Sequence, residues 1–211
     1  MRNIRKKRYY AFVIILVLII GFLNADRIGR LIYPLHYQEE IISSSKQYDV
    51  NPYWIAAIIR VESNFRSDRV SHKGATGMMQ IMPETARWIA EQGSEFSESS
   101  PDLLTVPTLN IRMGTWYIRY LEDFFAPYFE RMGMDEDRDR LATIAASYNA
   151  GQGAVQNWLQ SGIWDGRLTT SDRIPYQETR NYVQRVNYYY KKYSNLYNDL
   201  IGYESDESRE Q

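Results

Sequence analysis

Glu62 is the residue in this chain whose surroundings give it chemistry beyond a surface charge. It closes an apolar stretch containing Trp54, Ile55, Ile58, Ile59 and Val61, and the polar pair Ser63-Asn64 follows it. A glutamate at a helix end is usually a solvated carboxylate. Here, however, the negative end of the helix dipole would lie beside it, and the dipole gives it no stabilisation there. An apolar wall and a negative dipole end both favour the protonated carboxyl. A carboxyl with a raised pKa is what a general acid needs near neutral pH, and glycosidic bond cleavage needs such an acid on its leaving oxygen. This reading gives Glu62 a reaction type without identifying a substrate.

Three further constellations accompany it. Residues 74–83 read Gly-Ala-Thr-Gly-Met-Met-Gln-Ile-Met-Pro, with Gly74 and Gly77 allowing tight backbone turns and close approach of a ligand. A phosphate loop would end in Gly-Lys-Ser/Thr, and this segment does not; its methionines taken alone suit packing. Residues 145–151 (Ala-Ala-Ser-Tyr-Asn-Ala-Gly) place small residues before Tyr148 and Asn149, where Asn149 and Gly151 also suit a helix C-cap. Residues 174–183 carry Glu178 in the first turn of a helix, where the dipole alone accounts for an acid.

Helices must position these groups. Asn51-Pro52 reads as an N-cap followed by proline at the first helical position, opening a helix over residues 53–63. Pro83 starts a second helix through residue 92, with Gly93 just past its end. A loop over residues 94–102 follows, then helices over 108–125, 137–151, 153–162 and 175–197. In the first of these, Ile111, Gly114 and Thr115, Ile118, and Leu121 and Glu122 recur at helical spacing. The tyrosine run 188–190 falls mid-helix, so at least one of its rings is expected to face the core. A short β-ribbon fits around residues 70–81. The fold expected is all-α, of about six helices.

Composition limits the classes open to the chain. Its 211 residues suit one domain with short extensions, and 44% hydrophobic content allows a sizeable core. A formal net charge of −1 gives no reason to expect nucleic acid as a partner. There is no cysteine, which excludes disulfides, a thiol nucleophile and thiolate metal sites. The two histidines, His36 and His72, are far apart and form no metal-binding pair, so no metal or other cofactor is expected. Charge is unevenly placed. Arg2, Arg5, Lys6, Lys7 and Arg8 precede an apolar run over residues 9–23, while residues 204–211 are acidic.

A basic flank before such a run marks a membrane-targeting segment, with the flank cytoplasmic and the remainder extracytoplasmic. At about 1.5 Å per residue, fifteen residues span roughly 22 Å, short of a ~30 Å hydrocarbon core; snorkelling Arg27 and Arg30 would make up the difference. Leu23-Asn24-Ala25 is an imperfect cleavage site, so a retained single-pass transmembrane anchor is expected over a secreted form. The expected organisation is an anchor over 1–25, a connector over 26–40 that becomes helical, a folded domain over 41–198 and a disordered acidic tail over 199–211.

Taken in this order, the Glu-Ser, Gly-Ala-Thr-Gly-Met-Met-Gln-Ile-Met-Pro, Ser-Tyr-Asn-Ala-Gly and Glu-Thr-Arg-Asn-Tyr-Val blocks closely resemble the catalytic domain of soluble lytic transglycosylases (SLT), which belongs with goose-type lysozyme. The resemblance runs over residues 41–193. It departs at Ser147, where alanine is usual before the tyrosine, and at Met78, where leucine is common; both are small changes.

The resemblance implies a lysozyme-like fold and a lyase acting on peptidoglycan glycan strands. Glu62 matches the family's catalytic acid. It would protonate the oxygen between N-acetylmuramic acid and N-acetylglucosamine, then take the proton from the sugar's own C6 hydroxyl, leaving a 1,6-anhydromuramic end. Ser71, Gln80, Met82 and Tyr148 match positions lining the sugar cleft, with Tyr148 placed to bond Glu62 or the intermediate. Glu178 matches a second, supporting acid, while Ser63 and Asn149 are adjacent motif residues of structural character.

Two alternatives stand beside it. A muramidase of the goose-lysozyme kind needs a second carboxylate to hold water, for which Asp68 and Asp102 are the nearby acids, neither in a matching motif. A catalytically silent glycan-binding scaffold would not need Glu62 within its flanking blocks.

Overall fold

The computed structural model describes residues 2–97, 99 and 101–198; the acidic tail expected over 199–211 lies outside them. The chain forms two compact units that divide between Leu35 and His36.

The first unit holds α1 (Arg2–Leu23) and α2 (Ala25–Ile32). The whole apolar run is helical, and large side chains such as Phe12, Leu18 and Phe22 are exposed. A single transmembrane helix is not what the structure presents. Among the described residues no one helix is long and apolar enough to cross a membrane, because α1 turns at Asn24, whose side-chain amide donates to Ile20 O. The segments Phe12–Leu23 and Ala25–Ile32 have the length and composition together, bent by 65°. Residues 26–40, expected as a connector, contain most of α2 and the start of α3 (Gln38–Tyr48).

The second unit continues with α4 (Pro52–Glu62), α5 (Pro83–Gln92), α6 (Pro107–Met132), α7 (Asp137–Ala150), α8 (Gln152–Gln160) and α9 (Gln177–Tyr197). Three 3-10 turns, Ser94–Phe96, Pro101–Thr105 and Leu168–Arg173, connect them. Seven α-helices are therefore described here where about six were expected. The ribbon reduces to two isolated antiparallel bridges, Val70 with Thr76 and Thr76 with Ile81.

Local chemistry explains the boundaries. The Asn51 side chain accepts from Tyr53 N at 2.9 Å, and Pro52 fills the first helical position, so α4 starts where the sequence indicates. Gly93 does end α5, but in extended conformation rather than the left-handed one usual for a glycine cap. Helix α6 runs past its expected end through Pro127, because Phe125 and Phe129 carry its apolar stripe onward and both are buried. It stops at Gly133, which is left-handed at φ 56°.

The core forms around α4, in which every residue from Pro52 to Ile59 is buried. This helix packs most extensively against α9, and α9 in turn against α7. From the expected stripe on α6, Ile111, Thr115, Ile118 and Leu121 are fully buried. The run Tyr188–Tyr190 departs from expectation: Tyr188 is 48% exposed and its two neighbours are only half-buried. The α9 stripe reaches the core instead through Tyr182, Val183, Val186, Tyr193 and Tyr197.

Candidate active site

The last residue of α4 opens into a cleft of about 710 Å³. All four sequence blocks meet there. Glu62, Ser71, Gln80, Met82, Tyr148, Asn149 and Glu178 line it, joined by Arg69, His72, Lys73, Asn181, Tyr182 and Arg185. Ser63 does not. It is fully buried, its hydroxyl donating to Ile59 O at 3.4 Å and accepting from Arg66 N at 3.2 Å, a capping role at the end of α4.

Burial is the main influence on Glu62 and pushes its carboxyl up to about 7. Opposing it are a hydrogen bond from Tyr182 Oη to Glu62 Oε1 at 2.7 Å and the positive charges of Arg69 and Arg185; the negative charge of Glu178 raises it slightly further. The expected direction is present, and its largest cause is desolvation. Tyr182 lies in the Glu-Thr-Arg-Asn-Tyr-Val block but gave no sign in sequence of contacting Glu62. Arg69, His72, Lys73 and Arg185 fall outside the four blocks, and nothing in their local sequence pointed to the cleft.

Tyr148 does not hydrogen-bond Glu62 in this arrangement. Its hydroxyl donates to Met79 O at 2.9 Å, which ties α7 to the glycine-bounded loop. Burial, reinforced by the nearby Glu62 charge, raises the Tyr148 and Tyr182 hydroxyls well above the ordinary tyrosine range, so both stay protonated.

The loop is held from below by Asn110, which is fully buried. Its side chain accepts from Met79 N at 2.7 Å and donates to Leu104 O at 2.8 Å and Thr76 O at 3.0 Å. Gly77 must be glycine here: its φ is +83°, and an added Cβ would lie 2.2 Å from Leu104 O. Met78 and Met79 are fully buried packing residues. Gln80 has positive φ, and its amide nitrogen donates to Arg69 O and Gly77 O, leaving the side-chain carbonyl as its remaining polar group. The Ser71 hydroxyl accepts from Ala75 N at 2.9 Å and keeps its own proton to donate. Asn149 Oδ1 accepts from Thr179 Oγ1 at 2.8 Å, which joins α7 to α9.

Two carboxylates line the cleft among the described residues, Glu62 partly buried and Glu178 exposed. Asp68 and Asp102, the acids considered as water holders, are both exposed, and neither lines it.

A family profile described as the transglycosylase SLT domain matches residues 39–167, well over half of the chain. The chain belongs to that family. The SLT match ends before α9, which supplies Glu178, Tyr182 and Arg185 to the cleft. The chain is 33% identical over 157 residues to the soluble lytic murein transglycosylase of Salmonella typhimurium, covering 73% of this chain and 22% of that protein. It is 31% identical over 168 residues to the membrane-bound lytic murein transglycosylase C of Glaesserella parasuis, covering 72% of this chain and 44% of that one. Its fold superposes on the 70 kDa soluble lytic transglycosylase of Escherichia coli with a TM-score of 0.68 at 30% identity, over 84% of this chain and 27% of that one. The fold is thus the all-α, lysozyme-like one. The chain spans about a fifth of the length of the soluble relative and under half of the membrane-bound one.

Proposed function

We propose that this SLT domain is a peptidoglycan lytic transglycosylase with Glu62 as its one catalytic acid and base. The observation that carries the reading is a single partly buried carboxyl, raised to about 7, at the end of an apolar helix in a cleft lined by the family's motif residues. Protonated Glu62 gives its proton to the oxygen joining N-acetylmuramic acid to N-acetylglucosamine. The C1–O bond breaks with its electron pair going to that oxygen. The muramic C6 hydroxyl then attacks C1, and the Glu62 carboxylate takes the hydroxyl proton. No water enters, and the products are a free N-acetylglucosamine 4-hydroxyl and a 1,6-anhydromuramic end.

A carboxyl near pKa 7 serves both steps, since neither form is strongly disfavoured at neutral pH. Tyr182 and the two arginines stabilise the charged form between them. Gln80 through its carbonyl and Ser71 through its hydroxyl proton are available to the N-acetyl and hydroxyl groups, Met82 and Tyr148 supply the sugar-facing wall, and Glu178 supports positioning from the rim. Asn149 and Ser63 hold the elements in place. Support for a lyase over a hydrolase lies in Asp68 and Asp102 falling outside the cleft and in the exposure of Glu178.

The same reading takes residues 41–198 as the catalytic domain and the basic, apolar N-terminal segment as its anchor in the cytoplasmic membrane, with the domain extracytoplasmic. The bent α1–α2 pair and the likeness to a membrane-bound relative support the anchor. Mass spectrometry of digested peptidoglycan is the test: 1,6-anhydro ends are expected from the native chain and none from Glu62→Gln. Reducing muramic ends from the native chain would overturn the lyase reading.

A further inference from the structure

Helix α2 is built unlike the helix before it. In α1 exposed apolar side chains point to every side, since Ile14, Ile15 and Leu16 are followed by Leu18, Ile19 and Ile20. In α2 they are confined to one. Ile28, Leu31 and Ile32 stand at i, i+3 and i+4 and therefore share a face, and all three are exposed, Leu31 by 81%. Asp26 and Arg30 fall on the opposite arc, with Arg27 at its edge. No residue of α2 is buried.

The bend at Asn24 decides how that face is aimed. Ala25–Ile32 turns 65° from the axis of Phe12–Leu23. The eight residues of α2 make a helix about 12 Å long that advances only about 5 Å along that axis. A helix continuing the span would be apolar all round, as α1 is. Straightened onto α1, α2 would instead carry Asp26 and Arg27 toward the hydrocarbon, where charged side chains are strongly disfavoured. A helix lying at the boundary needs what α2 has, one apolar face and one charged face. The depths agree as well. The apolar run 9–23 covers roughly 22 Å of a ~30 Å hydrocarbon layer. An interfacial helix sinks its apolar face by about 5–10 Å, which accounts for the remainder.

We propose that α2 is an interfacial helix lying along the outer surface of the membrane that holds α1. Ile28, Leu31 and Ile32 enter the acyl boundary, while Arg27 and Arg30 extend their charged ends to the lipid phosphates. The basic flank over residues 2–8 stays on the cytoplasmic side, which puts α2 at the outer leaflet. The proposal rests on the anchor reading above and is independent of the catalytic one. In consequence the chain leaves the membrane surface after Ile32 rather than after Leu23, and α2 sets the depth at which α1 stops.

A chain without cysteine makes the test direct. Single cysteines in the full-length chain take an environment-sensitive fluorophore, and each chain is reconstituted into vesicles of phosphatidylethanolamine and phosphatidylglycerol. Nitroxide-labelled lipids then quench at the headgroup, shallow in the acyl chain or deep within it. Probes at Ile28→Cys, Leu31→Cys and Ile32→Cys are expected to lose most of their emission to the shallow acyl quencher. Asp26→Cys and Arg30→Cys should respond to the headgroup quencher alone, and Leu16→Cys to the deep one. Adding Leu31→Asp should release the probe at Ile28→Cys from acyl quenching; a probe that stays quenched overturns the proposal. Equal acyl quenching at all five α2 positions means that α2 continues the span. No quenching at any of them means that water or protein covers it. Either result removes the interfacial helix and leaves the anchor standing while Leu16→Cys is quenched. Failure to quench Leu16→Cys sinks the anchor and the interfacial helix together. Turnover does not enter the readout, so loss of the catalytic reading leaves this result unchanged.

Discussion

Tyr182 stands 120 residues after Glu62 in the chain, yet its hydroxyl donates to the Glu62 carboxylate at 2.7 Å from a position that is almost fully buried. The bond joins α9 to the end of α4, the two helices that pack most extensively, so the core contact and the site geometry have the same origin. It also acts against burial: a donor to the carboxylate favours the charged form, while desolvation favours the neutral one. Burial wins, and the carboxyl rests at about 7.

Replacing Tyr182 with phenylalanine tests that balance. The acid step needs protonated Glu62, so kcat/KM should fall as pH rises through about 7 in the native chain. Loss of the donor favours the protonated form and moves this limb to higher pH. It also leaves the carboxylate less stabilised after proton transfer, lowering kcat by roughly tenfold or more, as expected for one hydrogen bond to a charged group. A pH–rate profile separates the outcomes, since a lower rate with an unmoved limb would mean Tyr182 acts only through packing.

Glu62→Gln should be inactive and, at alkaline pH, more stable. In the native fold the carboxyl titrates near 7, against 4.5 when unfolded. Between these values the folded chain binds more protons, so its stability falls as pH rises through that window. Glutamine removes the dependence. Native and variant chains are expected to differ least below about pH 4.5, with the variant ahead above pH 7 by on the order of 1–2 kcal/mol after allowance for partial exposure. Thermal unfolding at pH 4 and pH 8 measures it.

Much of this was legible in the sequence where the signal is local. Asn51-Pro52 marks the start of α4 because a cap and a proline act within three residues, and the four motif blocks indicated most of the cleft lining. What did not show was long-range. Nothing near Tyr182 reveals that its hydroxyl meets Glu62, and Arg69 and Arg185 look like ordinary surface cations until α4, α9 and the loop are placed. The ribbon around residues 70–81 shrank to isolated bridges because the segment's backbone groups also serve turns: Gly74 N donates to Ser71 O, and Gln80 N to Gly77 O. The tyrosine run 188–190 is apolar in composition, but helical phase puts Tyr193 and Val186 in the core in its place.

Asn110→Ala should unfold the loop before it unfolds the domain. Its side chain is the partner of three backbone groups in or beside residues 74–83, all lost at once and two of them in buried surroundings. Leaving buried partners unsatisfied destabilises by about 2–4 kcal/mol in sum. Denaturant unfolding should show that loss. Hydrogen exchange should show Met79 N among the first amides to lose protection, with activity falling further than stability because Gln80 is adjacent.

Gly114→Ala tests the same loop from one turn further along α6, the helix that also carries Asn110. An added Cβ would lie 2.3 Å from Met79 Sδ, 2.7 Å from its Cε and 3.0 Å from its Cβ, and Met79 is fully buried. The sulfur end of methionine can rotate, but its Cβ moves only with the backbone, so the overpacking should destabilise by about 1–3 kcal/mol. Met79 O is also the acceptor for Tyr148, and a shifted backbone there loosens the aromatic wall of the cleft. Shortening Met79 to alanine removes the Sδ and Cε clashes and leaves only the tight Cβ contact. The double variant Gly114→Ala/Met79→Ala is therefore expected to be less destabilised than the sum of the two single changes, a coupling readable from three unfolding curves. Strict additivity would show that Met79 yields without backbone movement, and the Met79 O acceptor of Tyr148 would then stay in place.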